Sequence, residues 1–196
     1  MPKITSFSQL ELDKYYSYSD YITWNFKERV ELFLGKVMKM SPAPNVNHQK
    51  ISGNLFLALG NQLKNTKCHL FSAPFDVRLP ISKKKGNFDT VVQPDIVVIC
   101  DTSKLDEQGC NGAPDIVIEI LSPGNSTREM KDKFELYEAS LVPEYWMVDP
   151  AHQDITVYTF NDQNKYIGSK PFVDDEVVRS TVINGLDIVV DDVFEK

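Results

Sequence analysis

The chain has 196 residues, of which 42% are hydrophobic and 25% charged, and its formal net charge is −7 at pH 7. This length can bury a substantial core, and we expect residues 1–196 to form a single domain. The acidic charge argues against a general nucleic-acid coating protein, which needs a basic surface. It does not exclude a nuclease, in which a local basic patch can coexist with an acidic remainder.

Localisation follows from two features of the sequence. No apolar run approaches the ~20 residues of a membrane span, and the N-terminal stretch MPKITSFSQLELDKYY has no apolar signal-peptide core. We therefore expect a cytoplasmic protein with no membrane partner. The cysteines at positions 68, 100 and 110 are widely spaced and form no CxxC pair. They predict neither a zinc site nor a disulfide framework.

The first half of the chain predicts two helices and three strands. Residues 6–18 are typical of a short capped helix. Residues 30–40 (VELFLGKVMKM) predict two short strands that meet near Gly35. Residues 47–64 predict a helix because apolar residues recur at four-residue spacing, with Asn47 as the N-cap. Alternation of apolar and charged residues in 69–80 predicts a half-buried strand.

The second half predicts the centre of the fold. Segments 92–100 and 114–121 are apolar on both faces, which favours strands in the middle of a covered sheet. Residues 126–140 predict a helix, 144–149 a strand, and 154–170 a hairpin. The apolar stripe predicted for that helix comprises Met130, Phe134, Tyr137 and Leu141. The element order indicates an α/β or α+β fold around one mixed sheet.

Glu119 is the unusual residue of the second apolar strand, APDIVIEIL. An ionised glutamate there is costly unless an ion pair, protonation or a bound metal compensates it. A structural ion pair and a metal or catalytic role are both open at this point. Asp115 lies four residues earlier on the same face, and ~13 Å of strand separates the two. That distance is too long for one shared cation, so we expect Asp115 to begin the strand.

Asp95 is the better partner for Glu119. If the two apolar strands are neighbours, their side chains can meet across ~5 Å, and two carboxylates supply the hard oxygen ligands that suit Mg²⁺. A cation beside the scissile phosphate would help such a site, but position 121 is Leu121. Lys133 is the candidate amine because it flanks the apolar stripe of its helix. A lysine that merely snorkels at the stripe edge is the alternative.

These residues resemble a known family. Pro-Asp before an apolar strand, a gap of about 20 residues and an apolar strand with an internal Glu are similar to the PD-(D/E)XK nuclease superfamily. More closely, the chain resembles the Uma-type putative restriction endonuclease family. The matching stretches include VELFLGKVMKMSPAPNVNHQ, VVQPDIVVI, GAPDIVIEILSPGNS and KFELYEASLVPEYWMVDP. They extend over nearly the whole chain.

The resemblance implies a restriction-endonuclease-like core, in which helices flank a mixed central sheet and a β-hairpin extends the C-terminus. It also implies metal-dependent hydrolysis of DNA phosphodiester bonds, with Mg²⁺ as the cofactor and Mn²⁺ as a substitute. Asp95 and Glu119 match the metal-binding carboxylates. Lys133 matches a catalytic lysine relocated from the strand to the helix. Glu31 and His48 match further family positions.

Several alternatives remain open in the sequence. Glu31 is either a third acidic site residue or a strand-edge charge, and His48 is either a site residue or a packed histidine. The basic cluster at 83–85 is either a solvated hairpin tip or a phosphate-contacting loop. A homodimer is plausible because duplex cleavage often pairs two sites by two-fold symmetry. The alternative function is a catalytically silent nucleic-acid-binding or protein-interaction scaffold of the same fold.

Overall fold

The structure is a computed structural model that describes residues 4–40, 45–80, 89–122 and 127–195. Its α-helices are α1 (Tyr18–Tyr21), α2 (Val46–Leu63), α3 (Thr127–Ala139) and α4 (Val190–Phe194), and short 3₁₀ turns cover Phe7–Gln9 and Thr102–Lys104. The first nine strands of the described residues are β1 (Val30–Phe33), β2 (Lys36–Lys39), β3 (His69–Ser72), β4 (Val77–Arg78), β5 (Val91–Val92), β6 (Ile96–Ile99), β7 (Leu105–Asp106), β8 (Gly109–Asn111) and β9 (Ile116–Ile120). The remaining strands are β10 (Glu144–Asp149), β11 (Asp154–Phe160), β12 (Tyr166–Gly168), β13 (Phe172–Val173), β14 (Val177–Arg179) and β15 (Asp187–Val189).

A seven-stranded mixed sheet forms the centre, in the order β12-β11-β10-β9-β6-β3 with β13 beside β11. Strands β9 and β10 are parallel, whereas β6 and β9 are antiparallel neighbours. A second mixed sheet has the order β2-β1-β5-β4-β8-β7, and β14 pairs with β15. The α+β class with mixed sheets is confirmed. The expectation of one sheet is wrong, because the described strands separate into three sheets.

Helices cover both faces of the central sheet, as two-sided apolar strands require. On one face, Ile51, Leu55 and Leu59 of α2 pack with the even-numbered residues of β6 and β9. On the other face, Leu136 and Tyr137 of α3 pack with the odd-numbered residues of those strands. The prediction that β6 and β9 lie in a covered sheet is confirmed.

Two predicted strands divide where the chain crosses between sheets. The predicted strand over 69–80 separates at Pro74 into β3 in the central sheet and β4 in the second sheet. The strand predicted over 92–100 likewise separates around Pro94 into β5 and β6. Proline has no N–H to donate to a sheet ladder, so each break falls at the residue that cannot continue the pairing.

Smaller differences lie at helix ends. Residues 6–18 form a 3₁₀ turn and the start of α1 rather than one helix. Asn45, not Asn47, caps α2, and its Oδ1 accepts a hydrogen bond from the backbone N–H of His48 at 2.9 Å. Leu141 follows the end of α3 and is exposed, so it does not belong to the buried stripe. Helix α3 itself and the hairpin turn at Gly35, with φ of 78°, agree with the predictions.

The expectation that the cysteines form no disulfide is wrong, because Cys68 and Cys100 are joined by one. In the antiparallel pair β3 and β6, His69 lies opposite Ile99, so Cys68 and Cys100 occupy the next opposing positions. Spacing along the sequence, 32 residues here, carries no sign of that register. Cys110 is a buried free thiol. Within the described ranges, no helix combines the length and the apolar character that crossing a membrane requires.

Candidate active site

Asp95 and Glu119 face each other at one end of β6 and β9. The register places Ile96 opposite Ile118, so Asp95, the residue before β6, lies opposite Glu119. The side chain of Asp95 is fixed there because its Oδ2 accepts a hydrogen bond at 2.8 Å from the backbone N–H of Ile120. The predicted neighbour relation of the two strands is therefore confirmed. Asp115, as expected, precedes β9, and its Oδ2 accepts the backbone N–H of Cys100 at 2.7 Å.

Helix α3 brings two donors to Glu119. Lys133 Nζ lies 2.8 Å from Glu119 Oε1, and the Tyr137 hydroxyl donates to the same oxygen at 2.6 Å. Lys133 and Tyr137 are four residues apart, so they project from the same helical face onto the strand. Lys133 therefore supplies, from the helix, the amine that Leu121 on the strand cannot supply. Tyr137 was predicted only as a packing residue, and its hydroxyl contact is a feature that sequence reasoning missed.

Glu31 and His48 complete the cluster. Glu31, on β1, is buried, and its Oε1 lies 3.9 Å from Lys133 Nζ and accepts the backbone N–H of Gln93 at 2.8 Å. His48, on the first turn of α2, places Nε2 at 3.3 Å from Asp95 Oδ2. Its Nδ1 is buried without a hydrogen-bond partner among the described residues. Both residues therefore contact the central carboxylate and lysine groups, and their roles stay predictions.

The charges in this cluster shift one another. Burial raises the pKa of Glu119 to about 7, where Lys133 opposes the rise and the carboxylates of Asp95 and Glu31 add to it. For Lys133, burial alone would lower the pKa, but Glu119, Glu31 and Asp95 together raise it. For His48, burial is likewise outweighed by Asp95, and the pKa is raised. Perturbed pKa values of this kind concentrate at functional sites.

The donor set fits a hard divalent cation. Asp95 and Glu119 present carboxylate oxygens from two adjacent strands, and Mg²⁺ is commonly held by one or two carboxylates with water and phosphate completing its shell. Burial and, to a smaller extent, the neighbouring carboxylates raise the pKa of Glu119, and a bound cation would stabilise the charged form against both. A tighter cluster exists elsewhere among the described residues: Asp149, His152 and Asp154 bring their ligand atoms within 4.8 Å of one another near the surface.

Gln93 lies near the start of the strand predicted over 92–100, and its position in the sequence indicated no role. The structure places its backbone N–H on Glu31 and its side chain in a network with Asp76, Tyr21 and Arg29. The one signal in the sequence is the order Gln-Pro-Asp. Pro94 interrupts the strand pairing, so Gln93 directly follows β5 and Asp95 directly precedes β6. The basic cluster at 83–85 lies outside the described residues.

The comparisons agree with this architecture. The profile of the family described as Uma2, putative restriction endonuclease, matches residues 14–191, and the chain belongs to that family. The uncharacterized protein slr1290 of Synechocystis sp. is 24% identical over 151 residues, which are 76% of each chain. A solved structure described as a putative nuclease belonging to DUF820, from Anabaena variabilis ATCC 29413, is 21% identical. It superposes with a TM-score of 0.69 over 91% of this chain and 97% of that chain.

Proposed function

We propose that this chain, as a single domain over residues 1–196, is a Mg²⁺-dependent endonuclease that hydrolyses DNA phosphodiester bonds. The observation that carries the proposal is the partly buried cluster in which Asp95 and Glu119 face each other and Lys133 Nζ lies 2.8 Å from Glu119 Oε1. Membership of a family described as putative restriction endonuclease supports the same reaction class. Fold alone would not, because one fold hosts many activities.

In this proposal Asp95 and Glu119 hold the metal, and Mn²⁺ can replace Mg²⁺. A bound divalent ion supplies Lewis-acid activation of water and neutralisation of charge on the phosphate. The protein fixes the two ligands beforehand: the backbone N–H of Ile120 and the His48 ring hold Asp95, and Tyr137 holds Glu119. Partners of this kind orient metal ligands and tune their affinity.

Lys133 serves as a fixed positive charge. Burial would lower the pKa of this amine, but the surrounding carboxylates outweigh burial and raise it, which favours the protonated form. Its ammonium group stabilises the negative charge that develops on the phosphate, and it orients the water through its N–H groups. The Glu31 carboxylate, 3.9 Å from the amine, stabilises the ammonium group in this position. This assignment favours electrostatic stabilisation over general-base catalysis for the lysine.

The direct test is a nicking assay on supercoiled plasmid DNA with Mg²⁺, with Mn²⁺ and with EDTA. We expect wild type to nick only with metal, and Glu119→Gln to lose at least about 100-fold in rate. The matched control is Glu135→Gln, which removes an exposed carboxylate of α3 that pairs with Lys131. It should behave as wild type.

Two results would contradict the proposal. Equal nicking by Glu119→Gln and wild type would place the reaction elsewhere. Absence of nicking by folded wild type, with metal bound, would favour the catalytically silent nucleic-acid-binding or protein-interaction scaffold.

A homodimer is a separate part of the proposal. Two sites related by a two-fold axis would cut both strands and yield linear plasmid, whereas one site yields open circles. We expect sedimentation at assay concentration to give twice the 22.3 kDa mass of the chain if the protein cuts in this way. A monomeric mass together with linear product would refute the paired-site arrangement.

A further inference from the structure

A partly open cavity of about 480 Å³ lies beside the carboxylate cluster. Four aromatic residues line it, all of them half-buried: Tyr18, Tyr21, Trp24 and Phe26. Tyr18 and Tyr21 stack with their ring centroids 6.0 Å apart, and Trp24 and Phe26 stack at 5.9 Å. The volume lies within the about 300–1,000 Å³ typical of ligand pockets. Half-buried ring faces in a pocket offer stacking surfaces for a planar ligand.

The floor of the pocket is polar and already ordered. Gln93 Nε2 donates to Asp76 Oδ1 at 2.8 Å, and the Tyr21 hydroxyl lies 3.2 Å from the same oxygen. Arg29 donates to Gln93 Oε1 through Nε at 3.2 Å and through Nη2 at 2.9 Å. An amide, a carboxylate and a guanidinium in one network are the groups that read the edges of nucleobases. Such a network would give a stacked ring a preferred orientation.

Cations also accompany the aromatic rings. Arg29 and Lys27 line the cavity and are exposed, and the guanidinium carbon of Arg78 lies 4.9 Å from the centre of the Tyr18 ring. Only two of the five N–H donors of Arg29 are used on Gln93, so its guanidinium can also contact a phosphate. Lys27 and Arg29 thus place two exposed cations at this rim, beside the carboxylates of Glu28 and Asp76.

Gln93 connects the pocket to the proposed reaction centre. Its side chain forms the floor, while its backbone N–H donates to Glu31 Oε1 at 2.8 Å. Asp95 follows two residues later and therefore lies at most ~7 Å further along the chain. A phosphate at Asp95 and Glu119 would therefore have its neighbouring nucleotide within reach of the aromatic rings.

We propose that this pocket binds an unpaired nucleobase of a DNA strand, so that the adjacent phosphate enters the carboxylate site. The substrate class is then single-stranded DNA, or duplex with an extruded or unpaired base. This inference rests on the proposed function, since it assigns the substrate form of the same site. Stacking on aromatic rings tolerates every base, so the pocket selects strand state more than sequence.

The test measures binding in EDTA, where no cleavage occurs. The probe is a labelled single strand of about eight nucleotides, compared with the same strand in a duplex. We expect fluorescence anisotropy to show tighter binding of the single strand. Trp24→Leu should weaken that binding about 5- to 150-fold, the loss of one stacked base, while Trp24→Phe, which keeps a ring, should retain most of it. Tyr15→Leu removes an exposed aromatic outside the pocket and should bind as wild type.

Tryptophan fluorescence gives a second readout without any substitution. The chain has two tryptophans: Trp24 lines the pocket, and Trp146 is 0% exposed. Single-stranded DNA should therefore quench wild-type emission through Trp24, and the duplex should quench it less. If Trp24→Leu melts at a lower temperature than wild type, the same test is made at Tyr18, in the other pair of stacked rings. The affinity of Tyr18→Leu for the single strand is then compared with that of Tyr18→Phe.

The outcomes separate this inference from the proposed function. Equal affinity for single strand and duplex, or full affinity in Trp24→Leu, overturns the base pocket, whatever the nicking assay shows. Quenching and ring-dependent binding without metal-dependent nicking would support the pocket and refute the endonuclease. Binding that Glu119→Gln retains while it loses nicking is the result we expect, because stacking and hydrolysis use different groups.

Discussion

Two glutamates are buried on neighbouring strands of the central sheet, and they differ in what surrounds them. Glu144, on β10, is 0% exposed, and Glu119, on β9, is 8% exposed. They project from opposite faces of the sheet, since Glu144 lies opposite Ile116 and Glu119 lies opposite Met147 in the parallel pair. A buried carboxylate therefore identifies a functional site only through its surroundings.

Neutral donors satisfy Glu144. Trp146 Nε1 donates to its Oε1 at 2.6 Å, and the backbone N–H and hydroxyl of Thr181 donate to its Oε2 at 2.8 and 2.9 Å. These donors fix the chain that leads into β15 against β10, which is a structural role. Glu119 instead meets a lysine and two further carboxylates. Burial raises its pKa to about 7, and Lys133 opposes the rise while the two carboxylates add to it. A structural carboxylate has its hydrogen bonds satisfied by neutral donors. We expect a carboxylate in a functional site to have charged neighbours that perturb its pKa.

The largest expected effect is a crossed pattern between the two glutamates. Glu119→Gln should lose at least about 100-fold in nicking and keep near-wild-type stability at pH 7, because removing a costly buried charge offsets the lost pair with Lys133. Glu144→Gln should keep nicking and lose about 1–3 kcal/mol of stability, because its NH₂ group faces donors instead of accepting from them. Chemical denaturation and plasmid nicking of both variants check this. Loss of nicking in Glu144→Gln at a temperature where it is folded would break the comparison.

Lys133→Met should cost activity and stability together. Removing the amine leaves Glu119 without its nearest positive charge, and breaking a buried pair from one side typically costs about 3–5 kcal/mol. The double variant Lys133→Met/Glu119→Gln should recover much of that stability but no nicking. The matched control is Lys131→Met, on the exposed face of the same helix. A double variant no more stable than Lys133→Met alone would show that the two side chains do not interact.

His48→Gln should reduce metal affinity about 10- to 100-fold, because the ring orients the Asp95 carboxylate through a 3.3 Å contact. Calorimetric titration with Mn²⁺ measures the change. His69→Gln, an exposed substitution on β3, is the control and should leave the affinity unchanged. Unchanged affinity in His48→Gln would reduce the histidine to a packing residue of α2.

The smallest expected effect is a pH dependence of stability in EDTA. Glu119 has a folded-state pKa of about 7, above the 4.5 of an unperturbed glutamate. A raised carboxyl pKa contributes stability that is complete below the unfolded value and is lost as pH rises through the folded value. The stability of Glu119→Gln relative to wild type should therefore increase between about pH 5 and pH 7. A difference that is constant over this window would mean that Glu119 titrates as an exposed carboxyl.

The sequence predicted the parts of the site that local patterns encode. The apolar strands around Asp95 and Glu119 predicted a covered sheet, and helical spacing predicted that Lys133 flanks the buried stripe of α3. The first placement rests on strands that are apolar on both faces, and the second on the 3.6-residue period of a helix. The catalytic roles of these residues, and of Glu31 and His48, remain predictions.

The parts that depend on long-range register could not be predicted. The pairing of Cys68 with Cys100, the split of two strands between sheets, and the contact of Gln93 with Arg29 all join segments far apart in the chain. Tyr137 combines a feature that could be predicted with one that could not. Its ring belongs to the apolar stripe as predicted, but the destination of its hydroxyl depended on which strand lay beneath the helix.

The central claim is that Asp95 and Glu119 hold a divalent metal, and crystals soaked in Mn²⁺ test it most directly. Anomalous difference density should show a peak between these two carboxylates, and Glu119→Gln crystals should lose it. A competing cluster, Asp149, His152 and Asp154, serves as an internal reference because its ligand atoms already lie within 4.8 Å of one another. A peak at that surface cluster, with none at Asp95 and Glu119, would contradict the account.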